Sequence, residues 1–350
     1  MNHLRALLQT VLLCLLPVAC VTGGRPINGD IDVLMKRYDG AVPGASLLVV
    51  RDGNSVVRRS WGLADVEDHV AATPVTNYRL ASVTKQFTAA AILLLAQDDK
   101  LELSDKASQY LPSLPKSAAS ITIHQLLTHT SGLIDYEDLM ADTATRQVRD
   151  ADVLKLIESK DSLYFPPGTS YRYSNTGYSL LSLIVERVSG QSFATFLHDR
   201  IFAPLGMNNT VAHQDGVDVV SNRAFGYTLK NGTWTRKDQS TTSAVLGDGG
   251  IYSSIDDMAK WDAAQYDSRL LGEKWRLVGF TPHTPTDVPG TSYGFGWRIT
   301  GETIWHSGET SGFRNVVVRY PARKLTVVIL TNRDTPAPYE TALAVAKLFQ

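Results

Sequence analysis

Serine and lysine stand three residues apart twice in the 350-residue chain, as Ser82-Val83-Thr84-Lys85 and as Ser113-Leu114-Pro115-Lys116. On a helix that spacing is about one turn, so the two side chains share a face. A serine hydroxyl is a weak nucleophile until a neighbour takes its proton, and a lysine serves only where its surroundings keep it neutral part of the time. In the second copy Pro112 and Pro115 forbid a regular turn, so that copy reads as a loop. The first copy opens the apolar run TKQFTAAAILLLAQDD, a helix whose N-terminal amides favour a developing anion.

Two further stretches offer partners for Ser82. Tyr173-Ser174-Asn175 is the only Tyr-x-Asn in the chain. A tyrosine hydroxyl near the serine can shuttle a proton, and an asparagine amide can hold the lysine and bind a substrate carbonyl. Either residue alone is more often structural. His306-Ser307-Gly308, in ETIWHSGETSG, ends an expected strand, where a glycine lets a ligand or another backbone come close. The competing Lys230-Asn231-Gly232 is better explained as a hairpin turn between YTL and TWTR.

The elements that would position these residues fall into three blocks. GASLLVVRDGNSVVRRSWG places two β-rich runs around Asp52-Gly53-Asn54, a hairpin signal. From Ser82 to about Leu205 the pattern is helical, with Gly190 and Pro204 as punctuation. Beyond Gly290 the strands return in YGFGWRIT, ETIWH, GFRNVVVRYP and LTVVILTN, before a closing helix from about Glu340. The expected fold is α/β of the α+β kind: an antiparallel sheet built from both chain ends and flanked by helices. A helical subdomain over about 82–245 would be inserted between sheet-forming segments 43–80 and 246–350, with a cleft between the two parts.

Composition narrows the function classes. The formal charge of −1 and the absence of a basic block argue against nucleic-acid binding. Residues 1–20, MNHLRALLQTVLLCLLPVAC, carry Arg5 and then an apolar run suited to a secretory signal, so residues 21–350 would form the mature catalytic domain. Both cysteines, Cys14 and Cys20, lie in that segment, which leaves an exported chain without a disulfide. LLPVAC is similar to a lipoprotein cleavage site with Cys20 as the lipidated residue, though Pro17 departs from the usual aliphatic residue; plain cleavage nearby is the other reading. The expectation is an exported protein that is periplasmic, lipid-anchored to a membrane or secreted. His124 and His129 have no carboxylate or cysteine at zinc-binding spacing, so no metal or cofactor is expected. The Gly-rich LGDGGIYSS lacks the context of a phosphate loop and reads as cleft floor.

Taken in order, Ser82-x-x-Lys85, Tyr173-x-Asn175 and His306-x-Gly308 resemble the three motifs of the serine hydrolases related to class C β-lactamases and D-alanyl-D-alanine peptidases. LLTHTSGL, FPPGTSYRYSNTGYSLL, PLGMNNT and GDGGIYSSIDDMAKW resemble the same family, from about Pro43 to the C-terminus. The resemblance implies that Ser82 attacks a carbonyl to form an acyl-enzyme, with Lys85 and Tyr173 sharing the role of base. It implies an oxyanion site between the backbone N–H groups of Ser82 and Glu309, the residue after Gly308. The substrate would be a small ester, an amide or a D-amino-acid-containing peptide. The alternative is a penicillin-binding or cell-wall-fragment sensor that does not turn over. One departure matters: β-lactamases and D-peptidases usually carry lysine where this chain has His306. If the His306 charge helps to bind an anionic substrate, affinity should fall as pH rises through about 6 to 7.

Overall fold

Asp52 and Gly53 both adopt positive φ, 50° and 79°, the backbone that a tight two-residue hairpin demands. Around them β1 (Ala45–Arg51) turns back as β2 (Asn54–Trp61). In this computed structural model, which describes residues 27–141, 143–214 and 216–350, the hairpin forms one edge of an eight-stranded antiparallel sheet. The other strands are β3 (Thr284–Pro285), β4 (Thr291–Tyr293), β5 (Arg298–Thr300), β6 (Thr303–Thr310), β7 (Phe313–Tyr320) and β8 (Leu325–Thr331), in the order β3-β4-β5-β6-β7-β8-β1-β2. The chain ends meet where β1 pairs with β8, from Ala45 opposite Thr331 to Arg51 opposite Leu325. The expected signal segment and Cys20 lie outside the described residues.

Continuous apolar runs such as LLVV in β1 mean that both faces of the sheet are covered. Leu47, Val49, Val316, Val318, Val327 and Ile329 point to one side, against helices α1 (Ile27–Met35) and, near the C-terminus, Tyr339–Lys347. Leu48, Val50, Val317, Val328 and Leu330 point to the other, into the core shared with the helical body. That body is organised by α2 (Lys85–Gln97), in which every residue from Lys85 to Ala96 is buried. A helix buried on all sides belongs at the centre of a fold: α2 packs on α4 (Asn175–Ser189), which packs in turn on α3 (Asp150–Glu158), and its Phe87 lies 4.3 Å between ring centroids from Trp261 of α5 (Ile255–Ala264). Among the described residues no helix is long and apolar enough to cross a membrane.

Some elements differ from the sequence reading. YGFGWRIT is not one strand: it breaks between β4 and β5, where Gly296 takes φ 76° and presses so close to α2 that a Cβ would lie 2.6 Å from the Lys85 carbonyl oxygen. His306-Ser307-Gly308 lies inside β6 and does not end it. The hairpin expected at Asn231-Gly232 does form, pairing Tyr227–Lys230 with Thr233–Arg236, but the subdomain read as helical also holds a strand, Val211–Ala212, which pairs with Ile251–Ser253. Gly290-Thr291-Ser292-Tyr293-Gly294 matches a Gly-x-Ser-x-Gly pattern, yet Ser292 sits in the paired strand β4 and not on the strand-to-helix turn that such a nucleophile needs.

Candidate active site

Ser82 does not sit in the α-helix itself. It lies in a single 3₁₀ turn, Ala81–Thr84, that runs directly into α2 at Lys85. A 3₁₀ turn eclipses side chains three apart, so the shared face survives, with Lys85 Nζ 3.1 Å from Ser82 Oγ. Ala81, just before the serine, takes φ 50°, a left-handed conformation that costs a non-glycine residue about 1 kcal/mol or more and needs outside support. The support is specific. Leu80 N–H donates to the Ile251 carbonyl at 2.8 Å, Ile251 N–H donates to Thr84 Oγ1 at 3.3 Å, and Asn315 Nδ2 donates to the Arg79 carbonyl at 2.8 Å.

Lys85 is fully buried and its Nζ reaches three acceptors: Ser82 Oγ, Asn175 Oδ1 at 2.8 Å and the Asp248 backbone carbonyl at 3.0 Å. As an ammonium it satisfies all three donors. As a neutral amine it donates to Asn175 and Asp248 and leaves its lone pair on the Ser82 hydroxyl, which is the arrangement a base requires. Asn175 is the first residue of α4, behind the N-cap Ser174, whose Oγ accepts from Gly177 N–H at 3.2 Å. It is held from both ends: its N–H donates to Asp135 Oδ2 at 2.7 Å and its Nδ2 to Glu137 Oε1 at 3.1 Å. Lys85 Nζ lies 4.9 Å from the centroid of the Tyr173 ring. The Tyr173 hydroxyl is buried and, among the described residues, takes no hydrogen bond. His129 packs against Tyr173 at 4.3 Å between centroids, and its Nδ1 accepts the Ser174 N–H at 3.1 Å, so it props up the second motif. His124 meets His283 elsewhere, Nε2 to Nδ1 at 3.3 Å.

The third motif works through its backbone. A Cβ on Gly308 would lie 2.0 Å from the Leu80 carbonyl oxygen, so only glycine lets β6 close against the Ser82 turn. Glu309 then stands in the wall of the same cavity as Ser82, its side chain paired outward with Arg314 at 3.3 Å. Opposite Gly308, the fully buried Asn315 accepts the Thr331 N–H at 3.1 Å, fastening β7 and β8 while its amide grips Arg79. His306 corrects an expectation. It is buried, its Nδ1–H donates to the Ser307 carbonyl at 2.6 Å, and its Nε2 accepts the Tyr293 hydroxyl at 2.9 Å. Burial, and then the nearby Arg298 guanidinium, push it down to about 3, so it is neutral at pH 6 to 7 and offers no titrating charge to an anionic substrate.

The cavity over Ser82 has a volume of about 50 Å³ and includes Tyr136, Glu137, Asn175, Asp248 and Glu309 in its lining. Tyr136, Glu137 and Asp248 were not picked out from the sequence. Asp248 lies in the stretch read only as cleft floor, and the glycine before it is indeed dictated by packing, since a Cβ on Gly247 would meet the Tyr178 carbonyl at 2.4 Å. Burial is the main influence on the Asp248 carboxyl; Lys85 pulls it down, Asp150 and Glu137 raise it, and it stands at about 7. A larger cavity of about 640 Å³ opens beside Arg149, Glu186 and His213 and includes none of Ser82, Lys85 or Tyr173.

Known proteins resemble this chain in sequence and in fold. The family model described as Beta-lactamase matches residues 27–350. The chain is 29% identical over 317 residues to penicillin-binding protein 4* of Bacillus subtilis, covering 85% of this chain and 70% of that protein. It is 30% identical over 340 residues to a D-aminopeptidase of Gluconobacter oxydans, covering 91% of this chain but 61% of the relative, less than two thirds of its length. The solved structure of D-amino acid amidase from Ochrobactrum anthropi, complexed with L-phenylalanine amide, superposes with a TM-score of 0.80 at 25% identity, covering 92% of this chain and 98% of that one. The chain belongs to the beta-lactamase family of serine hydrolases.

Proposed function

We propose that this protein hydrolyses small amides or esters of amino acids, or short D-amino-acid-containing peptides, through an acyl-enzyme on Ser82. The observation that carries the reading is the 3.1 Å contact from Lys85 Nζ to Ser82 Oγ, with the remaining lysine donors taken by Asn175 and Asp248. Lys85, or Tyr173 acting with it, removes the serine proton as Oγ attacks the carbonyl carbon. The oxyanion then forms between the N–H groups of Ser82 and Glu309. The leaving amine or alcohol departs with that proton, and water releases the acid.

Glu137 refines the substrate class. Its carboxylate lines the cavity beside Ser82 while holding Asn175, so an acyl group with a free amino group would find an anion close to the reacting carbonyl. The relative named D-aminopeptidase and the structural neighbour named D-amino acid amidase point to the same chemistry. We place the activity outside the cytoplasm, in the periplasm, on a membrane lipid anchor at Cys20 or in the medium, because residues 1–20 have the charge and apolar pattern of a secretory signal.

The test is turnover of D-phenylalanine amide and a p-nitrophenyl ester, with intact-mass analysis during incubation with a penicillin and Ser82→Ala as control. Expected is Ser82-dependent hydrolysis of at least one substrate. A stable penicillin adduct without hydrolysis of any substrate would instead favour the non-hydrolytic sensor, and equal activity in Ser82→Ala would remove the serine mechanism.

A further inference from the structure

Asp248 is bound to the reaction centre in two ways at once. Its backbone carbonyl accepts from Lys85 Nζ at 3.0 Å, and the residue lines the cavity that contains Ser82. The carboxyl is fixed: Oδ2 accepts the Tyr136 hydroxyl at 3.1 Å, and the Tyr136 N–H is itself tied to Thr176 Oγ1 at 2.7 Å. The segment that carries it is fixed as well. Asp150, buried in α3, accepts the N–H groups of Leu246 at 2.9 Å and Gly247 at 3.1 Å, and Thr88 in α2 donates to the Gly247 carbonyl at 2.6 Å. Among the described residues Asp248 makes no salt bridge, so its carboxyl is not neutralised by a directly paired cation. A carboxyl this well held, on a residue 7% exposed that lines a 50 Å³ cavity with room for water, has the placement of an acid or base.

We propose that Asp248 is the base that takes the proton of the hydrolytic water in the second half of the reaction, with Tyr136 orienting its carboxylate. This rests on the acyl-enzyme reading above. The water oxygen bonds to the acyl carbon of the Ser82 ester as one water proton passes to Asp248. The proton on Asp248 passes through solvent in the cavity to Lys85, which is neutral since the leaving group took its proton. Lys85 hands it to Oγ as the bond from the acyl carbon to Ser82 Oγ breaks and the carboxylic acid leaves, so no co-reactant is consumed. Division of labour follows: Lys85 and Tyr173 serve the attack by Ser82, and Asp248 serves the attack by water. The titratable and charged groups around Asp248 are Lys85 from α2, Asp150 from α3, and Tyr136 and Glu137 from the turn Tyr136–Leu139, with Arg79 and Glu309 in the wall of the same cavity. With its carboxyl standing at about 7, Asp248 is half ionised there, and only the ionised half acts as a base. The water step must therefore speed up as pH rises through neutrality.

Rapid mixing of the full chain with p-nitrophenyl butyrate separates the two halves of the reaction. Expected for wild type is a burst of nitrophenolate followed by a steady rate that rises with pH, with a midpoint near 7. Asp248→Asn keeps the backbone carbonyl on Lys85 and an oxygen for Tyr136. It should acylate within about threefold of wild type but lose about 10²-fold or more in the steady rate, accumulate the butyryl adduct by mass, and lose the pH limb. A steady rate and pH limb unchanged in Asp248→Asn would overturn the proposal while leaving the serine mechanism standing. No Ser82-dependent burst or adduct in wild type would take down both. Should Asp248→Asn fail to fold, Tyr136→Phe decides: it removes a hydrogen bond that lowers Asp248, so the midpoint should move to higher pH, and an unmoved midpoint overturns the proposal.

Discussion

Ser82 stands between two walls built on different principles. On one side β6 meets the nucleophile turn through backbone alone: Gly308 lies against the Leu80 carbonyl, and Asn315 fastens the strand from behind. Its one ionisable motif residue, His306, is buried and pinned at both ring nitrogens. On the other side Glu137, Asn175, Asp248 and Tyr136 form a polar wall of charges and donors, supported by Asp135 and Asp150. The first wall sets position and the second sets charge. Substitutions on the strand wall should therefore damage every substrate alike, whereas substitutions on the polar wall should discriminate by substrate and by pH.

The largest effect is expected at the point both walls serve. Ser82→Ala should lower kcat for any substrate by at least about 10⁴-fold with an unchanged thermal melt, since a methyl group replaces a half-buried hydroxyl. Next is Gly308→Ala on the strand wall. With a Cβ only 2.0 Å from the Leu80 carbonyl, β6 must move away from Ser82 or the turn must yield. The expected result is a loss of about 10²-fold in kcat/KM on esters and amides equally, with about 1–3 kcal/mol lost in denaturant unfolding. A loss confined to one substrate class would contradict the division between the walls.

Glu137→Gln tests the polar wall. The amide still reaches Asn175 but removes the anion, so KM for D-phenylalanine amide should rise roughly 3- to 10-fold while that for an uncharged ester stays within twofold. Equal changes for both substrates would show that Glu137 only steadies Asn175.

The two walls were not equally legible in the sequence. Ser82, Lys85, Tyr173 and Asn175 could be picked out because a nucleophile and its partners demand particular residue types at particular spacings. The sheet from both chain ends could be read because its strands form long apolar runs bounded by turns. Helix α1 escaped, since INGDIDVLM buries only Ile31 and Met35 and has a weak apolar period. The polar wall escaped because Asp135, Glu137 and Asp248 look like ordinary solvated acids in sequence, and what distinguishes them is a contact 38 to 163 residues away. His306 was legible in position but not in charge: its type suggested a switch at neutral pH, and only the surroundings of Tyr293, Ser307 and Arg298 reveal a neutral ring.

The last expected effect is carried by that neutral ring, and it is one of stability. The imidazole has an ordinary value near 6.5 in the unfolded chain and about 3 when folded, so the unfolded state binds the extra proton at any pH between them. Stability from this group is whole above about 6.5 and falls by up to about 1.4 kcal/mol per pH unit below it, down to about pH 3. His129, buried and likewise pushed down by burial, adds to the slope in the same direction. Denaturant unfolding of wild type should thus show stability dropping between pH 6.5 and 4.5. His306→Gln, which supplies no proton site, should be less stable at pH 7.5 but show a shallower drop over that window. Binding of an anionic inhibitor over pH 6 to 7 should carry no inflection that His306→Gln removes. A slope the variant leaves unchanged would mean that His306 titrates normally in the folded protein, and the strand wall would then hold a working charge after all.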